Sequence, residues 1–158
     1  MIESGRVVGL FTVDRRTAPM KKVKQMNALA GRDIEGDRYF LGTGTYSKKP
    51  EPGRQVTLIK SEVLESLKDN FEITVKPEES RRNILTRGIE INDLIGTEFY
   101  VGRVRLRAHR ITQPCPYLEK LLDQPGLYKE LWDNGGISCE ILSEGIIKEG
   151  DIITTSLD

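Results

Sequence analysis

The chain has 158 residues, of which 24 are Lys or Arg and 24 are Asp or Glu, so its formal net charge is zero. A chain of this length can bury one hydrophobic core, and its balanced charge offers no general attraction to nucleic acid or to an anionic membrane. The sequence shows no signal peptide and no apolar run long enough for a transmembrane helix. We therefore expect a cytoplasmic protein with one domain over residues 1–158, without nucleic-acid or membrane partners.

The first half of the chain combines short strands with one helix. An apolar stretch predicts a first strand over residues 5–13, and Gly36-Asp37-Arg38 marks a turn. Residues 41–53 are rich in Gly, Pro, Lys and Thr, which is typical of a long mobile loop. A short strand is predicted over residues 55–59. Ser61 then looks like a helix N-cap, with an apolar helical face made by Val63, Leu64, Leu67 and Phe71.

The second half of the chain is dominated by strands. Short strands are predicted over residues 83–86 and 98–102, and closing strands over 137–142 and 152–155. Residues 104–111 alternate with period two, placing Val104, Leu106 and Ala108 on one face and basic side chains on the other. Leucines after Pro116 indicate a helix, and a second helix should end at Gly135-Gly136. Together these elements predict a mainly β (α+β) fold, a distorted closed β-barrel with a few helical inserts.

Basic side chains at Arg103, Arg105, Arg107 and His109 share one face of the predicted strand. They could neutralise phosphates, but the aromatic side chains that stack on single-stranded bases are missing from this face. A solvated outer face of the barrel is the better interpretation.

Cys115 lies between two prolines, in a segment that joins the basic strand to the following helix. Neither a helix interior nor a paired strand accommodates this pattern. At such a junction, near a helix N-terminus, a thiolate is favoured and can bind a soft metal or carry a sulfur atom. A small buried side chain is the alternative interpretation of Cys115. Cys139 stands in an apolar alternating stretch and is most simply a core residue, although a Cys115–Cys139 pair is left open.

Seven short pieces of the chain, in this order, resemble the MOSC domain, the C-terminal domain of molybdenum cofactor sulfurases, which also occurs as free-standing bacterial proteins. They are Gly36-Asp37-Arg38, the stretch 54–59, Arg81-Arg82-Asn83 with the two residues that follow, Arg87-Gly88-Ile89, Leu94-Ile95-Gly96, Pro114-Cys115 and the stretch 145–151. The resemblance implies a distorted β-barrel that binds molybdenum cofactor. It also implies that Cys115 is a sulfur carrier or a direct thiolate ligand of molybdenum, and that Arg81, Arg82 and Asn83 correspond to the basic strand of the family.

The residue types agree with that implication. Molybdenum cofactor (a molybdopterin) carries a phosphate and a pterin, which guanidinium and amide groups bind well. Alternation places Arg81 and Asn83 on one face and Arg82 on the other, so we expect Arg81 and Asn83 to face the site. A solvated basic edge is the alternative for this segment. Arg54 could reach a phosphate or pair with an acid, and Asp37 with Arg38 could orient the site or simply form a surface turn.

Three hypotheses follow from the sequence. In the first, Cys115 ligates molybdenum and the protein reduces N-hydroxylated compounds with electrons from a redox partner. In the second, Cys115 carries a persulfide sulfur that a separate cysteine desulfurase supplies, since no pyridoxal phosphate site is expected in this chain. In the third, the protein is a non-catalytic module that binds the cofactor through its arginines.

Overall fold

The computed structural model describes residues 4–14, 18–37, 52–112, 114 and 116–156. The predicted mobile loop lies mostly outside these residues; at its end, Pro52–Arg54 forms a turn of 3-10 helix. The strands are β1 (Ser4–Thr12), β2 (Lys21–Val23), β3 (Gln25–Leu29), β4 (Asp33–Ile34), β5 (Val56–Lys60), β6 (Ile84–Arg87), β7 (Glu98–Val101), β8 (Val104–Ile111), β9 (Ile137–Ile141), β10 (Gly145–Lys148) and β11 (Ile152–Thr154). The α-helices are α1 (Ser61–Phe71), α2 (Pro116–Leu122) and α3 (Leu127–Glu130).

Within the described chain, seven strands close into a barrel in the order β11, β7, β8, β9, β5, β6 and β1. Pairing of β1 with β11, for example Ser4 with Thr154, completes the circle and leaves these strands without an open edge. β2 extends β1 outside the barrel, and β10, β3 and β4 form a separate small sheet. The predicted closed barrel is therefore confirmed, whereas β4 and β10 escaped the sequence analysis.

The one parallel pair among the described barrel strands is β5 with β6, whose register places Leu58 beside Ile84. Parallel neighbours need a crossover connection, and α1 lies in the connection between these two strands. β5 also pairs antiparallel with β9, which brings Thr57 opposite Ser138. These two pairings decide which polar residues meet on the outside of the barrel.

Two hydrophobic clusters divide the buried side chains. The inner cluster fills the barrel and includes Leu58, Ile84, Leu106 and Cys139. The outer cluster lies between the sheet and the helices and is built from Phe11, Val13, Met20, Ile59, Leu64, Leu67, Ile73, Val75, Leu85, Leu118, Leu127 and Leu131. Because neighbouring side chains of a strand point to opposite faces, Leu58 belongs to the first cluster and Ile59 to the second.

The predicted alternation of β8 is confirmed. Val104, Leu106 and Ala108 are buried, and Arg103, Arg105 and Arg107 are exposed. A bulge between Ala108 and Arg110 interrupts the register with β9 at His109.

Two details of the predicted helix α1 are wrong. Its N-cap is Lys60 rather than Ser61, because the strand β5 runs directly into the helix and Ser61 already has helical conformation. Phe71 is about half exposed (49%) because the helix ends there, with Glu72 in the left-handed conformation. The second predicted helix is also short, since α3 ends at Glu130 and turns continue to Gly135. No helix in the described ranges is long and apolar enough to cross a lipid bilayer.

Candidate functional site

The segment that carries Arg81, Arg82 and Asn83 is not a strand. Residues 77–80 form a turn of 3-10 helix, and Arg81 ends it in the left-handed conformation with φ = 65°. β6 begins only at Ile84. The expected alternation of these three side chains is therefore wrong, because the left-handed residue turns the backbone just before the strand.

The two arginines are half-buried and diverge toward different parts of the chain. A terminal nitrogen of Arg81 donates to the carbonyl oxygen of Ala18, in the connection between β1 and β2. The Nε of Arg82 donates to the carbonyl oxygen of Gly135 at 2.7 Å, just before β9. Each guanidinium is thus anchored on backbone far away in sequence, and the arginine segment bridges two connections of the barrel.

Asn83 is 1% exposed and joins three strands. Its Oδ1 accepts hydrogen bonds from the backbone N–H and the hydroxyl of Thr57, both at 3.1 Å. Its Nδ2 donates to the carbonyl oxygen of Phe11 at 3.2 Å. Buried polar groups of this kind are stabilising when satisfied and costly when broken. The Asn83 side chain therefore fixes the position of the arginine segment on the barrel.

A row of polar side chains continues from Asn83 across the outer face of the sheet. Thr57 is opposite Ser138 in the β5–β9 register, and both are buried. Ser138 hydrogen bonds through its hydroxyl to that of Thr112, just after β8. Thr57 shares its face with Ile59, so the row lies on the side of the outer cluster. We call Asn83, Thr57, Ser138 and Thr112 the polar row. This row was not predicted from the sequence, although Thr57 and Ser138 each stand as a polar residue inside an apolar strand.

The polar row ends at residues 112–116, which carry the Cys115 thiol and which we call the thiol segment. The backbone N–H of Thr112 donates to the carbonyl oxygen of Gly136 at 2.8 Å, and Pro114 is buried. Cys115 itself lies outside the residues that the structure describes, and α2 begins directly after it at Pro116. The basic strand before Cys115 and the helix after it are therefore both present, as predicted.

Gly135 connects Arg82 with this segment. A Cβ atom on Gly135 would lie 2.4 Å from the carbonyl oxygen of Thr112 and 3.5 Å from Cδ of Pro114. Since Arg82 binds the carbonyl of the same glycine, its charge is held at the backbone that packs against Thr112 and Pro114. The structure thus links Arg82 to the thiol segment through Gly135, whereas Asn83 contacts β5 and β1.

Asp37 is fully buried, and its Oδ1 accepts the backbone N–H of Val13 at 3.1 Å. It thereby supports the end of β1, the strand that Asn83 binds at Phe11. The alternative of a simple surface turn does not hold for Asp37, because the carboxylate is 0% exposed. Arg38 lies outside the described residues.

Asp33, on β4, has a half-buried carboxyl group that lies close to Asp37. Burial and the negative charge of Asp37 raise the pKa of Asp33 to about 6, against a partial opposing effect of Arg32. Asp33 and Asp37 are therefore close enough for the charge of Asp37 to act on the pKa of Asp33.

Arg54 lies in the 3-10 turn before β5 and is half-buried. The adjacent Gly53 packs on the ring of His109, where an added Cβ would lie 2.8 Å from Cγ. His109 also contacts Glu140, with 2.9 Å between Nε2 and Oε1. Arg54 is thus placed beside the bulge of β8.

Two arginines on the basic face of β8 pair with Glu98 of the neighbouring strand β7. Arg107 and Arg105 approach the carboxylate of Glu98 at 2.8 and 3.6 Å. These exposed ion pairs agree with the predicted solvated outer face. Cys139 is a free, completely buried thiol, as predicted for a core residue, and burial raises the pKa of its thiol.

Among the described residues, no group of three or more His, Cys, Asp or Glu side chains could hold a metal ion. A bare metal site built from these side chains is therefore not part of the described structure. Near the thiol segment the described chain instead presents the guanidinium of Arg82 and the hydroxyl groups of Ser138 and Thr112.

Comparison with known proteins gives the family. The model of the MOSC domain matches residues 36–154. No curated protein matches the chain. The crystal structure of the YuaD protein from Bacillus subtilis is similar with a TM-score of 0.81 and 18% identity, covering 99% of each chain. YiiM from Geobacillus stearothermophilus is similar with a TM-score of 0.71 and 15% identity, covering 99% of this chain and 76% of its own. YiiM from Escherichia coli has a TM-score of 0.67 and 17% identity, covering 98% of this chain and 71% of its own. These structures share the fold of this chain. The MOSC model matches most of the length of this chain, which shows that the chain belongs to the MOSC domain family.

Proposed function

We propose that this protein binds molybdenum cofactor at the thiol segment, with Cys115 as the thiolate ligand of molybdenum. The chain over residues 1–158 would act as one MOSC domain, in the cytoplasm. Family membership supports a small-molecule cofactor of this class. The observation that carries the proposal is the bond of Arg82 to Gly135, which holds a guanidinium beside the backbone that packs against Pro114.

The described residues fit the cofactor in charge and in hydrogen-bonding type. The cofactor is anionic and rich in acceptors, and Arg81 and Arg82 present guanidinium groups at a partly buried position. In this proposal Arg82 binds its phosphate beside the thiol segment, with Arg81, Arg54 and Arg38 as further cationic groups. Asn83 and Asp37 serve the site by fixing the backbone, since their side-chain oxygens accept bonds from β5 and from the end of β1.

When bound, the cofactor supplies a metal that exchanges electrons with a substrate. Cys115 would bind the molybdenum of the cofactor, and the arginines would orient the cofactor through its phosphate. In its catalytic form the protein would reduce N-hydroxylated compounds with electrons from an external donor protein. This substrate class rests on the resemblance to the family.

The test is the molybdenum content per chain, measured by elemental mass spectrometry after expression in a host that makes the cofactor. Wild type should hold close to one molybdenum, Cys115→Ala almost none, and Arg82→Gln a reduced amount. Cys139→Ala is the matched control, because it removes the other thiol from inside the barrel and should keep the metal.

Two other results would each contradict the thiolate-ligand proposal in a different way. Equal molybdenum in wild type and Cys115→Ala would leave a binding module that depends on the arginines. An intact-protein mass higher by one sulfur atom at Cys115, without metal, would identify a sulfur carrier loaded by a cysteine desulfurase.

A further inference from the structure

The turn between α3 and β9 contains an Asn-Gly pair, Asn134 and Gly135. Because glycine has no Cβ atom, its backbone nitrogen can reach the side-chain carbonyl carbon of a preceding asparagine with little steric hindrance. Asn134 is exposed, and no hydrogen bond of its side chain occurs within the described ranges. The N–H of Gly135 is likewise not bonded to any described backbone carbonyl. Neither of the two groups that would react with each other is therefore held by a described hydrogen bond.

All five asparagines of the chain lie in the described ranges, and the side-chain amides of the other four are held. Their Nδ2 groups donate from Asn27 to Glu35, from Asn70 to Ser66, from Asn83 to the carbonyl of Phe11, and from Asn92 to the carbonyl of Asp133. Each of these four is also followed by a residue with a side chain, namely Ala28, Phe71, Ile84 or Asp93. Asn134 differs from them in both respects, so its side chain is the one that a neighbouring backbone nitrogen attacks most easily.

Asparagine is among the thermolabile residues, and reaction of this pair needs only water. The backbone nitrogen of Gly135 gives up its proton and bonds to Cγ of Asn134, a succinimide ring closes, and the side-chain nitrogen takes up a proton and leaves as ammonia. Water then opens the ring. Cleavage of the new bond leaves an aspartate in a normal backbone, whereas cleavage of the original peptide bond leaves isoaspartate, whose backbone runs through Cβ and Cγ. We propose that Asn134 is a modification site, at which the folded protein converts spontaneously to aspartate and isoaspartate.

The two products differ in their effect on the surrounding contacts. Aspartate adds a negative charge at an exposed position and leaves the backbone unchanged. Isoaspartate adds one carbon atom to the main chain just before Gly135, whose carbonyl accepts the Nε of Arg82 at 2.7 Å. The carbonyl of the next residue, Gly136, accepts the N–H of Thr112 at 2.8 Å. Space is short there, since even a Cβ on Gly135 would lie 2.4 Å from the carbonyl oxygen of Thr112. As the second part of the proposal, isoaspartate therefore loosens these bonds, whereas aspartate keeps them.

The test incubates the folded, full-length protein in mildly alkaline buffer and maps its peptides by mass spectrometry. Conversion raises the mass of a peptide by one unit, and a protein isoaspartate methyltransferase labels the isoaspartate. Asn134 should convert about tenfold faster or more than each of the other four asparagines, because each of those must first lose a hydrogen bond. Asn134→Ser should abolish the fast conversion and the ammonia that it releases. Asn70→Ser, which removes an exposed asparagine that is held by Ser66, is the control and should leave both unchanged.

A second readout measures the effect on the turn. Asn134→Asp is the matched variant, because it carries the charge of the aspartate product without the additional main-chain atom. In the isolated isoaspartate fraction, the amide of Thr112 should exchange with deuterium about tenfold faster or more than in Asn134→Asp, since its bond to Gly136 is loosened. Unconverted wild type and Asn134→Asp should exchange this amide at the same rate.

Three results would overturn the proposal. If Asn134 converts no faster than the other asparagines of the folded protein, the pair is not a modification site. If its conversion is fast only after unfolding in urea, the packing around Gly135 protects it in the native state, and the proposal fails as well. Equal exchange of the Thr112 amide in the isoaspartate fraction and in Asn134→Asp would overturn the second part, because the longer backbone would then be accommodated. Neither readout involves Cys115 or molybdenum, so both are independent of the proposed cofactor binding.

Discussion

Arg82 and Gly135 are 53 positions apart in sequence, yet the Nε of Arg82 donates to the Gly135 carbonyl oxygen at 2.7 Å. This bond joins the piece of chain before β6 to the piece before β9. Gly135 in turn touches Thr112 and Pro114, so one hydrogen bond connects the arginine segment with the segment that carries the thiol.

Replacing Gly136 by Ala should destabilise the protein severely. Gly136 has φ = 102°, and an added Cβ would lie 2.0 Å from the carbonyl oxygen of Leu58. We expect a loss of about 3 kcal/mol or more in the free energy of unfolding, since backbone strain and a clash with backbone add up. Urea denaturation measures it.

Gly31 is the matched control for that substitution. It also has positive φ, at 68°, but nothing lies within 4 Å of an added Cβ. Gly31→Ala should therefore cost only the left-handed conformation, about 1 kcal/mol. Equal losses for the two variants would show that the close approach of Gly136 to Leu58 is not real.

Removing the Asn83 amide should cost much of the stability of the barrel. Asn83→Ala leaves the backbone N–H and hydroxyl of Thr57 and the carbonyl of Phe11 without their partner in a buried place. We expect a loss of about 3 kcal/mol, measured by urea denaturation. Asn92→Ala removes an amide that bonds the carbonyl of Asp133 at an exposed position, and it should cost less than about 0.5 kcal/mol. A similarly small loss for Asn83→Ala would contradict the central place of this residue.

The stability of the protein should depend on the charge of Asp33. Burial and the charge of Asp37 raise the pKa of Asp33 from 3.8 to about 6 in the folded state, so folding favours the protonated form. Its stabilising contribution is complete below about pH 4 and is lost as the pH rises through 6. Asp33→Asn should remove this part of the pH dependence, so the stability gained over wild type should be larger at pH 7.5 than at pH 5.

Asp93→Asn, at an exposed position of a 3-10 turn, is the control for that comparison. Its free energy of unfolding should follow the wild-type pH dependence between pH 5 and 7.5. If the free energy of unfolding of Asp33→Asn also follows the wild-type pH dependence, the folded protein does not disfavour the charged form of Asp33.

The thiol of Cys139 should be unreactive while the protein is folded. It is 0% exposed inside the barrel, and burial raises its pKa. Thiolate is the reactive form, so alkylation of Cys139 in a Cys115→Ser background should begin only at urea concentrations that unfold the chain. The measurement is mass spectrometry after an iodoacetamide pulse, compared with the unfolding curve. Alkylation well before unfolding would indicate an opening of the barrel near β9.

Patterns with a local cause were readable in the sequence alone. The period-two run of β8, the burial of Cys139, and the helix α2 after Pro116 all depend on side-chain alternation or on proline, and all are confirmed. The resemblance of short ordered pieces to the MOSC domain is confirmed as well. In each case the information lies within a few neighbouring residues.

The surroundings of the thiol segment depended on the tertiary structure. The alternation expected for Arg81 and Asn83 failed because Arg81 has φ = 65°, a conformation that a residue other than glycine adopts only when the surrounding structure holds it there. The meeting of Thr57 with Ser138 follows from the register of two strands that are far apart in sequence, and no local pattern specifies such a register. The sequence by itself therefore determined the family, the barrel and the candidate thiol. Only the long-range contacts of the tertiary structure decided that Arg82 and the polar row meet the thiol segment around Cys115.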